Sequence, residues 1–400
     1  MTIPACATAL GITTVAAALM PSDAALAAKA PDFLISGPHH ALALGPARRH
    51  LPAGPLDGLA ARAAAFFAAG HDGPQLLAGA VPYHREAADC LFQPGTLVAM
   101  PPGSGAIPAA PRAALRIRAE PPARHYRDAV SAAVARIAAG EFSKIVLSRS
   151  LVLSADTPHD PEALFSMMRR DGLATLFSVP LRPRAPGRPR RLIGATPELL
   201  VEKRGSLVAS HPLAGSARRA TDPQSDRAAG EALLRSDKDR REHAMAAEMV
   251  LDTLVPFCAT LAAPDGVTLS ATARMWHLGT RIEGVLRDPA TPCADLLAAL
   301  HPTPAVCGLP RAAAEAALPE LEGYARDFYA GAVGWLEANG DGCWYLALRC
   351  AEIEGTEARL YAGAGIVLGS DPEAEEAETG AKFLAMLAAF GQDSDGKIGE

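Results

Sequence analysis

The chain has 400 residues, 49% hydrophobic and 20% charged, enough apolar surface for a large core in one domain or in two or three smaller ones. A formal net charge of −6 excludes a general attraction to nucleic acid or to an anionic membrane, so a small molecule is the expected partner. Seven scattered cysteines with no C-x-x-C pair fit neither a disulfide framework nor a zinc site, and they suit a reducing cytoplasm.

Residues 1–32 are Ala-rich. No Lys or Arg precedes Lys29, and Pro21 and Asp23 interrupt the apolar run, so this segment reads as a disordered tail rather than an export signal. No later run is apolar for long enough to span a bilayer. From Phe33 the pattern mixes strands and helices without a βαβ rhythm. Strands are expected at 76–83, 143–153, 174–181, 191–203, 343–353 and 358–365. Asn339-Gly340-Asp341-Gly342 is a hairpin signal and favours antiparallel pairing. Helices are expected at 123–139, 225–255, 309–318, 320–336 and 372–390. The class is α+β, with one domain over residues 33–391, expected to be monomeric, and a flexible tail at 392–400. The basic stretch 183–191 has no aromatic residue for base stacking and reads as a solvated hairpin loop.

Asp371 and Pro372 suit an N-cap and a first helical position, and Gly391 a stop. Glu375, Glu378 and Lys382 then share one stripe beside the apolar stripe Phe383, Met386, Leu387 and Phe390. By spacing alone this pair reads more readily as a solvated acidic first turn that complements the helix dipole. Glu242 differs, because its stripe includes Met245 and Met249, and a buried carboxylate needs a cation. Oxygen ligands without a Cys or His cluster point to a hard ion, and few carboxylates with room for water and substrate suit Mg²⁺.

The segments GATPELL (194–200), HPLAGSARR (211–219), KDRREH (238–243), HPTPAVCGLP (301–310), LALRCAEI (346–353), YAGAGIV (361–367) and EAETGAKF (376–383) together resemble the signatures of the chorismate-utilising enzymes. The likeness runs from about residue 33 to 391 in family order. It implies two large, mainly antiparallel sheets packed face to face, helices outside, and one Mg²⁺ in a deep cleft. Glu242, Glu375 and Glu378 match the metal carboxylates, which would bridge the ion to the ring carboxylate of chorismate. Lys144 and Glu198 match the base and the acid of the members that add water at ring C2 while the C4 hydroxyl leaves.

On sequence alone Lys144 is an exposed strand-end lysine; as a base its ammonium must be lowered from about 10.4. Glu198, on an otherwise apolar strand, would be raised by burial and hold a proton for donation. Arg349, alone among apolar neighbours, matches the arginine for the enolpyruvyl carboxylate, with Tyr329, Gly363 and Gly365 beside it. Gly215 and Ser216 would offer N–H groups to the ring carboxylate, and Lys382 a cation beside the metal. His277, which unaided reads as a core histidine, matches a pocket histidine.

Lys144 and PLAGSARR favour water over ammonia as the nucleophile. Ala305 and Val306, where salicylate-forming members often carry Thr and a small residue, favour release of isochorismate. The likeness is strongest to the siderophore-pathway branch. Two rivals from other classes stand beside this reading. A dinucleotide site at Gly363-Ala364-Gly365 lacks the spacing and the βαβ unit that such a site needs. A non-catalytic binding protein would tolerate Ala at Lys144 and Glu198.

Overall fold

The computed structural model describes residues 31–70, 72–100, 115–169 and 174–392. The Ala-rich tail therefore lies outside the described residues except at its last two positions, and the stretch 392–400 except at Gln392.

Two nine-stranded sheets and one three-stranded sheet make up the β-structure, and every pairing among the described strands is antiparallel. The longest strands of the first sheet, Lys144–Ser154 and Glu357–Val367, have eleven residues each, lie toward one end of it and pair along their whole length. Its strands read as near-continuous apolar runs because both faces are covered. Alternate residues go opposite ways. Phe33, Ile35, Phe177 and Val179 enter the core shared with the second sheet, whereas Leu34, Leu176 and Ile193 pack under the helices Pro161–Met168 and Pro372–Ala389. The outer face of the second sheet is covered by Leu59–Ala68, Asp237–Leu254 and Cys293–Leu300, whose buried residues join the same core. This is the expected α+β architecture of facing sheets with helices outside.

Several expected elements divide. The strand expected over 191–203 is two, Arg190–Thr196 in the first sheet and Leu199–Arg204 in the second. The strand over 343–353 splits likewise into Gly342–Leu346 and Cys350–Glu354. The helix over 225–255 breaks at Ser236, whose hydroxyl accepts from the Asp239 N–H and starts a new helix at Asp237. Pro319 does not separate two helices. One helix, Arg311–Glu322, runs through it and stops at Gly323 in the left-handed region (φ 70°), and Ala332–Glu337 is a strand rather than helix. That strand and Gly342–Leu346 form the hairpin signalled by Asn339–Gly342. The basic stretch 183–191 is a hairpin connection, with Arg184 paired to Asp327, Glu352 and Glu354. The six described cysteines are buried and free. No described helix is long and apolar enough to cross a membrane.

Candidate active site

The cleft opens where the sheets part. Arg190–Thr196 and Cys350–Glu354 pair in the first sheet, and their continuations Leu199–Arg204 and Gly342–Leu346 pair in the second. Both chains cross between sheets side by side, one through Pro197-Glu198 and the other through Ala347-Leu348-Arg349. A third crossing, at Pro212, leads from Leu207–His211 into the small sheet at Leu213–Arg218. Polar side chains at such breaks project into the gap instead of onto a sheet face. The cleft encloses about 940 Å³ including its mouth.

Glu198 is buried, and one carboxylate oxygen accepts from the Leu213 N–H at 3.4 Å. Burial pushes its carboxyl up to about 8; the Leu213 N–H, Lys144 and Arg349 oppose this more weakly. Arg349, at the neighbouring crossing, has φ 45°, a left-handed conformation that a side chain of this size rarely adopts. Its Nη1 donates to Thr272 Oγ1 at 3.0 Å and its Nη2 to His277 Nε2. Burial, with Arg349 close by, holds His277 well below its ordinary value, so the ring is a neutral acceptor that aims the guanidinium.

Each of the three candidate metal carboxylates faces a lysine. Lys144, fully buried, donates to Glu242 at 3.0 Å. Lys238 lies 3.4 Å from Glu375, which also accepts from Ser370 at 2.8 Å. Lys382 donates to Glu378 at 2.7 Å and to the Gly363 carbonyl at 2.8 Å, and Ser216 reaches Glu378 at 3.3 Å. Burial raises Glu375, and repulsion from Glu378 raises it further. Burial would raise Glu378 too, but Lys382, Lys238 and Ser216 together hold it below the usual carboxylate value.

Of the residues singled out in the sequence, Glu198, Gly215, Ser216, Glu242, His277, Ala305, Val306, Tyr329, Arg349, Gly363, Gly365, Glu378 and Lys382 line this one cleft. Lys144 and Glu375 do not. Lys144 sits behind Glu242 and Gly365, and Glu375 is tucked under the start of its helix with Ser370. Lys144 is thus the opposite of an exposed strand-end lysine. Met245 and Met249 are only half-buried; the inward stripe of the Glu242 helix is His243, Ala246, Ala247 and Val250, one step round. Lys238 and Asp239 also line the cleft and were not singled out, although they lie one helical turn before Glu242 on a charged helix start that the sequence shows. Leu348, between two strands, and Tyr361, within one, also line the cleft; each lies in a quoted segment but reads there as an ordinary apolar residue.

Among the described residues one His, Glu and Cys group is close enough to share an ion, His40, Glu202 and Cys343, all buried. Both ring nitrogens of His40 already have partners, the Tyr345 hydroxyl and the Glu202 carboxylate, and none of the three residues lines the cleft.

A family model described as "Chorismate binding enzyme" matches residues 104–391. The chain belongs to the chorismate-binding enzyme family. Among curated members, the isochorismate synthase DhbC of Bacillus subtilis (strain 168) is 46% identical over 279 residues, 69% of this chain and 70% of that one. The vibriobactin-specific isochorismate synthase of Vibrio cholerae serotype O1 is 37% identical over 318 residues, 79% of each. The crystal structure of DhbC from Bacillus anthracis superposes with a TM-score of 0.84 at 35% identity, covering 90% of this chain and 96% of that chain. As a chorismate-binding enzyme the chain is catalytic, which removes the reading as a passive binding protein.

Proposed function

We propose that the chain is an isochorismate synthase. Water adds at ring C2 of chorismate while the C4 hydroxyl leaves as water, so one group must accept a proton and another must donate one. The observation that carries this reading is Glu198. Its carboxyl, held by burial at about 8, keeps a proton at neutral pH on the cleft wall and within electrostatic reach of Lys144. Glu198 is then the acid that protonates the departing hydroxyl, and Lys144 the base, a role that requires it to give up its proton and to reach the water past Glu242. Arg349, fixed by Thr272 and His277, takes the enolpyruvyl carboxylate, with Tyr329 and the backbone of Gly363 and Gly365 beside it. Gly215, Ser216 and Lys382 serve the ring carboxylate, and Ala305 and Val306 shape the far wall.

Among the described residues the ligand groups facing the cleft are carboxylates, with no thiol or free imidazole, a set that fits a hard divalent ion. Glu242 and Glu378, with Glu375 behind them, would hold Mg²⁺. When bound, the ion would neutralise repulsion between these carboxylates and that of the substrate. Residues 33–391 act as one catalytic domain and the protein is a monomer; the six described cysteines, buried and free, support a cytoplasmic setting. Likeness to the vibriobactin-specific enzyme supports a role in supplying 2,3-dihydroxybenzoate or salicylate for siderophores.

Incubating purified protein with chorismate, with and without Mg²⁺, and identifying products by mass and fluorescence tests the reading. Isochorismate alone is expected. Salicylate with pyruvate would make the chain a salicylate synthase, and no consumption with Mg²⁺ present would overturn the proposal.

A further inference from the structure

Behind the cleft wall lies a buried arginine that does not itself line the cleft. Arg326 is 2% exposed, and its Nε and Nη2 donate to the two carboxylate oxygens of Glu322 at 2.8 and 2.6 Å. Nη1 donates to the Val306 carbonyl at 2.6 Å and Nη2 to the Val146 carbonyl at 2.7 Å, and the guanidinium lies over the rings of Tyr83 and Tyr329. Glu322 Oε1 also accepts from the Ser148 N–H at 2.7 Å and the Ser148 hydroxyl at 2.6 Å. Val146 and Val306 are both cleft-lining residues, whereas Arg326 and Glu322 are not.

A buried ion pair is a poor source of stability, because well-packed apolar residues in its place are often as stable or more so. The use of a guanidinium here has another explanation. Its rigid fork sends four hydrogen bonds to three separate segments: the strand Lys144–Ser154, the connection that carries Ala305 and Val306, and the last turn of Arg311–Glu322. The same strand and connection meet again where Gly308–Leu309 pairs with Ile145 and Lys144, and where the Val146 N–H donates to the Cys307 carbonyl at 2.7 Å. We propose that Arg326 and Glu322 form a positioning pair that sets the separation between the strand carrying Lys144 and the wall formed by Ala305 and Val306.

This inference rests on the reading of the cleft as a chorismate site. The test is the double variant Glu322→Leu with Arg326→Met, which removes both charges together and leaves no unpaired charge in the core. Three quantities are measured: the urea unfolding midpoint, amide hydrogen exchange over residues 144–148 and 303–309, and steady-state turnover of chorismate with Mg²⁺. The variant is expected to fold, to exchange faster at the Val146 amide, and to lose about 30-fold or more in kcat, with KM changed less than about threefold, since a small misplacement of reacting groups is costly. A folded variant with kcat within about threefold of wild type, or with a loss confined to KM, overturns the proposal. Should the double variant fail to fold, Arg326→Lys decides by the same readouts. Its single ammonium keeps a charge beside Glu322 but cannot hold both carbonyls in a planar fork. Hydrogen exchange does not depend on substrate, so wild-type protein that leaves chorismate untouched would sink the functional reading while exchange still reports on the tether.

Discussion

Gly365 and Glu242 approach so closely that a Cβ on Gly365 would lie 2.3 Å from Glu242 Oε1, and 3.2 Å from Lys144 Cε. The strand Glu357–Val367 passes the Glu242–Lys144 pair without displacing it because this position has no side chain. Gly365→Ala is expected to fold, because only the end of a flexible side chain must move. It should lower kcat/KM for chorismate by about 10- to 100-fold by pushing the Glu242 carboxylate off Lys144. Turnover measured beside the thermal midpoint checks it; wild-type turnover would show that this contact is incidental.

The environment of Glu198 sets a pH dependence. If Glu198 is the acid, kcat/KM should fall as pH rises through about 8, where the free enzyme loses this proton. Glu198→Gln should cost about 100-fold or more in kcat while leaving the fold intact. Stability carries the same signature. Between about 4.5 and about 8 the folded chain keeps a proton that the unfolded chain releases, so stability falls with rising pH across that window. Urea unfolding at pH 6 and pH 8 should show a smaller decline for Glu198→Gln than for wild type.

Metal dependence separates the carboxylates. Chelation of divalent ions should abolish turnover, and Mg²⁺ should restore it. Glu242→Gln and Glu378→Gln should raise the Mg²⁺ concentration for half-maximal rate by about 10-fold or more, as loss of ion ligands does. A titration with unchanged Mg²⁺ dependence in both variants would remove them as ligands.

Arg349 is expected to act on binding. Arg349→Lys keeps the charge but loses the fork held by Thr272 and His277, and should raise KM for chorismate by about 10-fold or more with a smaller change in kcat. Because burial keeps His277 neutral, KM should show no histidine titration between about pH 6 and 8.

The chain by itself determined its fold class and its family. Alternating and continuous apolar runs, the Asp371 cap and the Asn339–Gly342 turn located most of the expected strands and helices, because those signals act over a few residues. The family likeness named many of the residues that line the cleft, though not Lys238 or Asp239. What no local pattern could settle is where a strand leaves one sheet for another. Residues 191–203 and 343–353 read as single strands because apolarity continues through the break, yet each divides between sheets, and Glu198 and Arg349 face the cleft because they sit at those divisions. Burial was likewise out of reach. Lys144 looked exposed and is sealed behind Glu242, while Glu375 looked solvated and is closed in by Ser370, since exposure depends on strands and helices far apart in sequence. The carboxylate–lysine pairs and the raised Glu198 are consequences of that packing, because the energy of a charge is set by what surrounds it in three dimensions.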